Sequence, residues 1–110
     1  MFKRLAALAA LVVLCARCAA VSLKSRQNYV KYRADLTPAI ERAILAGEVA
    51  IGMTEDDVWA SIGRPDRVNR STYEFGTRVQ FCYDNIGSRF NFNKYRYVYF
   101  ENDKVTSWSQ

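Results

Sequence analysis

The chain has 110 residues, half of them apolar, with 16 basic and 11 acidic side chains and no histidine. That length holds one small domain with a single core. The formal charge of +5 does not describe a nucleic-acid-binding surface: Lys3, Arg4 and Arg17 fall in the first stretch and Lys24, Arg26, Lys31 and Arg33 in the next, so residues 34–110 carry 9 basic and 11 acidic residues and offer no basic face to nucleic acid.

Residues 1–20, MFKRLAALAALVVLCARCAA, open with Lys3 and Arg4 and continue with Leu, Ala and Val from Leu5 to Ala16. A positive start and an apolar run too short to span a bilayer read as an export signal. Two processing routes stay open. Lipidation would fall on Cys18, although Arg17 stands where a lipoprotein signal wants a small residue; ordinary cleavage would follow Ala20. Residues 21–36 are polar and basic and read as a linker, which next to an anionic membrane is attracted by about 1 kcal/mol per charge close to the surface.

The domain is expected over residues 37–110. Thr37 as N-cap, Pro38 at the first helical position and Glu41 in the first turn start a helix whose apolar face holds Ile40, Ala43 and Ile44 and which Gly47 stops. The segment EVAIGM then runs extended, with Val49, Ile51 and Met53 pointing one way into the core. Thr54 caps a second helix. Asp57 stands at the capping-box position and Met53 and Val58 at the spacing of a hydrophobic staple, while Glu55, Asp56 and Asp57 face the positive end of the helix dipole. Gly63 and Pro65 end it.

The pattern then changes to period two. RVNRSTYEF (67–75) is a short or irregular strand, TRVQFCYD (77–84) buries Val79, Phe81 and Tyr83, and KYRYVYFE (94–101) separates Val98 and Phe100 from Tyr95, Tyr97 and Tyr99. Asn102-Asp103 is a two-residue hairpin turn into KVTSWS, where simple alternation puts Val105 on one side and Thr106 and Trp108 on the other. Residues 84–93 form a loop. These elements predict an α+β two-layer sandwich, with two N-terminal helices on one face of a three- or four-stranded antiparallel sheet and the other face open.

The blocks AILAGEVAIGMTEDDVWASIGRPD (43–66), FGTRVQFCYD (75–84) and YVYFENDKVTSW (97–108) resemble the SmpA/OmlA domain of BamE-like small exported lipoproteins. The likeness covers residues 37–110 and is most specific in the Gly-Met-Thr helix start and the Gly-x-Pro stop. It departs from the family at the lipidation signal and at Phe81-Cys82-Tyr83, where a Trp-x-Tyr pattern is common. The resemblance implies the helix–helix–sheet fold, a lipid anchor in the outer membrane facing the periplasm, and a non-enzymatic accessory role in outer-membrane protein assembly or envelope integrity. A soluble periplasmic enzyme inhibitor or stress protein of the same fold is the alternative.

No catalytic constellation stands out. Without histidine, serine and cysteine lack their commonest activating base, and Cys82 reads as a small buried hydrophobe unless Cys18 survives to pair with it. The carboxylates of Glu55, Asp56 and Asp57 splay about 100° apart on a helix, which suits capping better than metal binding. Neither cofactor nor metal is expected. The expected binding surface is the open sheet face, with Tyr95, Tyr97, Tyr99 and Trp108 beside Arg78 and Gln80, facing an envelope protein partner; Tyr, Trp and Arg dominate interface energetics.

Overall fold

In a computed structural model, which describes residues 21–84 and 95–110, three helices precede a four-stranded antiparallel sheet. The helices are α1 (Leu23–Lys31), α2 (Pro38–Ala46) and α3 (Glu55–Ile62); the strands are β1 (Arg67–Tyr73), β2 (Gly76–Cys82), β3 (Tyr97–Glu101) and β4 (Lys104–Ser109), in the order β1-β2-β3-β4. The α+β sandwich expected from the sequence is the observed architecture, enlarged by one helix. Residues 1–20, expected to be an export signal, and residues 85–94, which hold most of the expected loop, lie outside the described residues.

The additional helix is α1, in the stretch expected to be a linker. Ser22 caps it by accepting the Ser25 N–H. Arg26 then crosses to α2 and donates to the Leu45 carbonyl at 2.9 Å, where a guanidinium complements the unsatisfied carbonyls of a helix C-terminus. Its other tie is Tyr29, which reaches α3. A polar surface hid this helix, because it packs through side-chain hydrogen bonds and a narrow Tyr29–Val30 contact with the core.

The caps of α2 and α3 follow the local sequence. Thr37 accepts the Ile40 N–H, and Gly47 takes the left-handed conformation at φ 72°, which suits a residue without a Cβ. Around α3 the capping box is complete: Thr54 Oγ1 accepts from the Asp57 N–H at 3.2 Å, and Asp57 Oδ2 accepts from the Thr54 N–H at 3.0 Å. The flanking Met53 and Val58 are fully buried, as a staple requires.

The core lies between the helices and one sheet face. Ile44, Met53, Val58 and Ile62 meet Val79, Phe81, Val98, Phe100 and Val105, and each such buried side chain contributes about 1.5–3 kcal/mol of transfer free energy. Phe81 and Phe100 sit side by side on neighbouring strands with ring centroids 4.7 Å apart. Tyr83 is buried too and donates its hydroxyl to the Gly63 carbonyl at 2.8 Å, so its polar atom is satisfied at the end of α3.

Two stretches depart from simple alternation. Ile51 does not join Val49 and Met53 in the core but stands 60% exposed, because the chain turns at Gly52, φ 93°. The turn lets Gly52 donate to the Val105 carbonyl and Met53 accept from the Val105 N–H, so this connection covers the middle of the β4 edge. In β4 itself the register shifts by one: Tyr99 lies opposite Ser107 and Phe100 opposite Val105, which leaves Thr106 as an extra residue. Such a bulge reverses the facing of everything beyond it. The turn between β3 and β4 is the expected Asn102-Asp103 pair, both at positive φ, the requirement of a tight two-residue hairpin.

Candidate functional site: the open face of the sheet

Antiparallel neighbours in register share a sheet face, so the pairings define the surface turned away from the helices. It is built of three cross-strand rows: Arg67–Cys82–Tyr97–Ser109, Asn69–Gln80–Tyr99–Ser107 and Ser71–Arg78–Glu101–Lys104. Four of the six residues expected here are brought together: Arg78, Gln80, Tyr97 and Tyr99. Gln80 accepts from Asn69 Nδ2 at 2.9 Å. Arg78 is exposed, pairs with Glu101 at 3.2 Å and stacks over the Tyr73 ring at 5.2 Å. Tyr97 and Tyr99 are half-buried. A shallow depression of about 430 Å³ follows the middle row, lined by Asn69, Ser71, Gln80, Tyr99 and Ser107.

The other two residues are elsewhere. Trp108 lies opposite Val98, a fully buried core residue, so it is on the helix side; the Thr106 bulge inverts the parity on which the sequence expectation rested. Tyr95 precedes β3, joins the buried core and meets Trp108 edge to face at 5.8 Å. These two form one aromatic pair that closes the end of the core. Their partner-binding placement on the open face is therefore corrected.

Sequence alternation missed the contribution of β1. Asn69, Ser71 and Tyr73 complete the face, yet the alternation of RVNRSTY carries little apolar signal to mark them. Every residue of β1 is exposed. Arg67 and Asp84 form an ion pair at the end of the first row; the guanidinium holds the Asp84 carboxyl below the usual carboxylate range, chiefly through their hydrogen bond.

Cys82 belongs to the open face by register but is only 1% exposed. Burial pushes its thiol pKa up, and the nearby Arg67 opposes this only in part. A neutral thiol with an Asn69 amide 3.6 Å away has the character of a structural group rather than a nucleophile. Cys18, its proposed partner or the site of lipid, lies outside the described residues.

On the helix side, the acidic trio at the start of α3 divides its work. Asp57 is buried and serves the capping box and Tyr29; Glu55 holds Arg70 of β1 through two hydrogen bonds at 2.6 and 2.9 Å; Asp56 is exposed. Among the described residues no cluster of three metal-ligating side chains forms, and no helix is long and apolar enough to cross a membrane.

No known family model matches the chain, and neither a curated protein nor a solved structure matches it.

Proposed function

We propose that the protein is an exported, outer-membrane-associated lipoprotein of the BamE-like class that acts without catalysis, docking an envelope protein partner on its open sheet face. The observation that supports this is the row structure of that face: Tyr97, Tyr99 and Arg78 stand on three adjacent rows, around polar groups able to satisfy a partner's hydrogen bonds, with all three helices on the opposite side. Rigid aromatic side chains on a preformed sheet lose little conformational freedom on binding, which is what an interface anchor needs.

The resemblance supplies the location and the class of partner. Lipid on Cys18 would place the domain only a few residues from the bilayer, with Lys24, Lys31 and Arg33 of the α1 region nearby in sequence. An assembly role suits a domain that offers an aromatic and polar surface on a preformed sheet.

The test has two parts. Mass spectrometry of the protein recovered from its native envelope should show a lipid-modified Cys18 as the mature N-terminus; a chain starting at Val21 would favour the freely soluble alternative. Replacing Tyr97 and Tyr99 together by Ala should abolish co-purification of the membrane partner while leaving the far-ultraviolet circular dichroism unchanged, and undiminished co-purification would reject the surface.

A further inference from the structure

A second uncovered surface lies where the exposed edge of β1 meets α3, on the side of the molecule away from the open face. The two edges of the sheet differ. On β4, Val105 already exchanges both backbone hydrogen bonds with Gly52 and Met53. On β1, no described segment lies beyond the strand, and all seven residues are exposed.

The direction of the free backbone groups follows from the ladder. Thr77 accepts from the Asn102 N–H and Tyr83 donates to the Arg96 carbonyl, so the odd-numbered residues of β2 bond to β3 and the even-numbered ones bond to β1. In register these even residues oppose Arg67, Asn69 and Ser71. Val68, Arg70 and Thr72 are left with their N–H and C=O groups pointing outward, a three-residue template for another strand.

Beside that template lies a slot of about 210 Å³, lined by Trp59, Val68 and Phe81 with Glu55, Asp56 and Arg70 at its rim. Trp59 is 48% and Val68 39% exposed. Glu55 and Arg70 neutralise one another, whereas Asp56 has no ion pair among the described residues. The slot is thus apolar inside and carries one uncompensated negative charge at its mouth.

We infer that the β1 edge and this slot bind an extended peptide segment of a partner protein by antiparallel strand addition, with alternate side chains turned to the slot side, apolar ones entering the slot and a basic one at its mouth. The backbone of Val68, Arg70 and Thr72 supplies the hydrogen bonds, the Trp59–Val68 floor selects the apolar positions and Asp56 favours a cation on that same face. Residues opposite one another in the bonded pairs of an antiparallel ladder share a face. The peptide residues that enter the slot are therefore the ones whose N–H groups must face β1.

That geometry sets the test. The full-length protein is titrated against a fluorescein-labelled seven-residue peptide whose slot-facing residues are three valines and a terminal lysine, with serines between them, and against two isomers N-methylated on all the slot-facing residues or on all the serines. Anisotropy should show saturable binding of the parent peptide, loss of affinity by more than about tenfold for the isomer methylated on the slot-facing residues, and retention within about twofold for the serine-methylated one. Trp59→Ala, at a half-exposed position, should weaken binding of the parent peptide with the fold intact. Equal affinity of the two isomers would reduce the interaction to charge alone and overturn the proposal. Absence of binding would overturn it too, as would sedimentation showing self-association that Trp59→Ala abolishes, since a second copy would then occupy the edge.

Discussion

Tyr29 donates its hydroxyl to Asp57 Oδ1 at 2.5 Å, while the other carboxylate oxygen of Asp57 accepts from the Thr54 N–H. One buried acid therefore starts α3 and holds α1 against it. Arg33 extends the link by donating to the Tyr29 hydroxyl at 3.0 Å and pairing with Asp35. Replacing Tyr29 by Phe removes the bond and should lower stability to urea by about 2 kcal/mol, the range for hydrogen bonds to charged groups. Asp57→Ala should cost about 1 kcal/mol more, because the cap is lost as well.

The same pair predicts a response to alkali. Burial first, and then the hydrogen bond to Asp57, raise the pKa of Tyr29 above its ordinary value, and burial does the same to Tyr83. A raised folded-state pKa favours the neutral phenol, so this stability is complete below about pH 10, the ordinary tyrosine value, and declines as pH rises beyond it. Stability measured by urea from pH 8 to 11 should fall in the upper part of that range, less steeply in Tyr29→Phe.

The bulge at Thr106 separates two aromatic residues that alternation places together. Trp108→Ala should lower stability by about 2 kcal/mol, through lost burial and the lost edge-to-face contact with Tyr95, while leaving partner capture unchanged. Tyr99→Ala should do the reverse. Parallel urea titrations and pull-downs of the two variants check this directly.

Acid should loosen the Arg67–Asp84 end of the sheet. The folded-state pKa of Asp84 is depressed by its hydrogen bond to Arg67, so its contribution is present above the unfolded carboxylate value and is lost as pH falls through the folded value. Asp84→Asn should remove this contribution at neutral pH and leave the acid region little changed, so that the fall in stability below about pH 4, the ordinary carboxylate range, becomes shallower. Added salt should produce the same flattening, as the pair is exposed on the Arg67 side.

Cys82 gives a probe of local opening. With the thiol buried and its pKa raised, an aromatic disulfide reagent at pH 8 should modify the native protein at least about tenfold more slowly than the urea-unfolded chain. Equal rates would mean that the Asn69–Cys82–Tyr97 region opens freely.

Much of this architecture was legible because it is written in local grammar. Thr37-Pro38, Gly47, Thr54 with Asp57, and Asn102-Asp103 each encode a cap or turn by the chemistry of a few neighbouring residues. The alternation of Val79, Phe81, Val98 and Phe100 likewise marks a half-buried sheet. What was not legible depends on distant partners. Alpha-helix α1 is fixed by bonds from Arg26 and Tyr29 to residues far along the chain, and no period in its own sequence announces them. The inward turn of Trp108 depends on one extra residue in β4, which parity alone does not reveal. The tilt of Ile51 into solvent follows from Gly52 pairing with Val105 across the fold. The open face was therefore found through Arg78, Gln80, Tyr97 and Tyr99, and its β1 part and the Trp59 slot on the other side of β1 only through the structure.

The central claim, that the open face meets a partner, is tested most directly by site-specific photo-crosslinking in the native envelope. A photoreactive residue in place of Gln80, in the middle row, should yield one discrete heavier adduct, and the same residue in place of the exposed Ala39 on α2 should yield none. Adducts from Ala39 with none from Gln80 would place the partner on the helices and contradict the account.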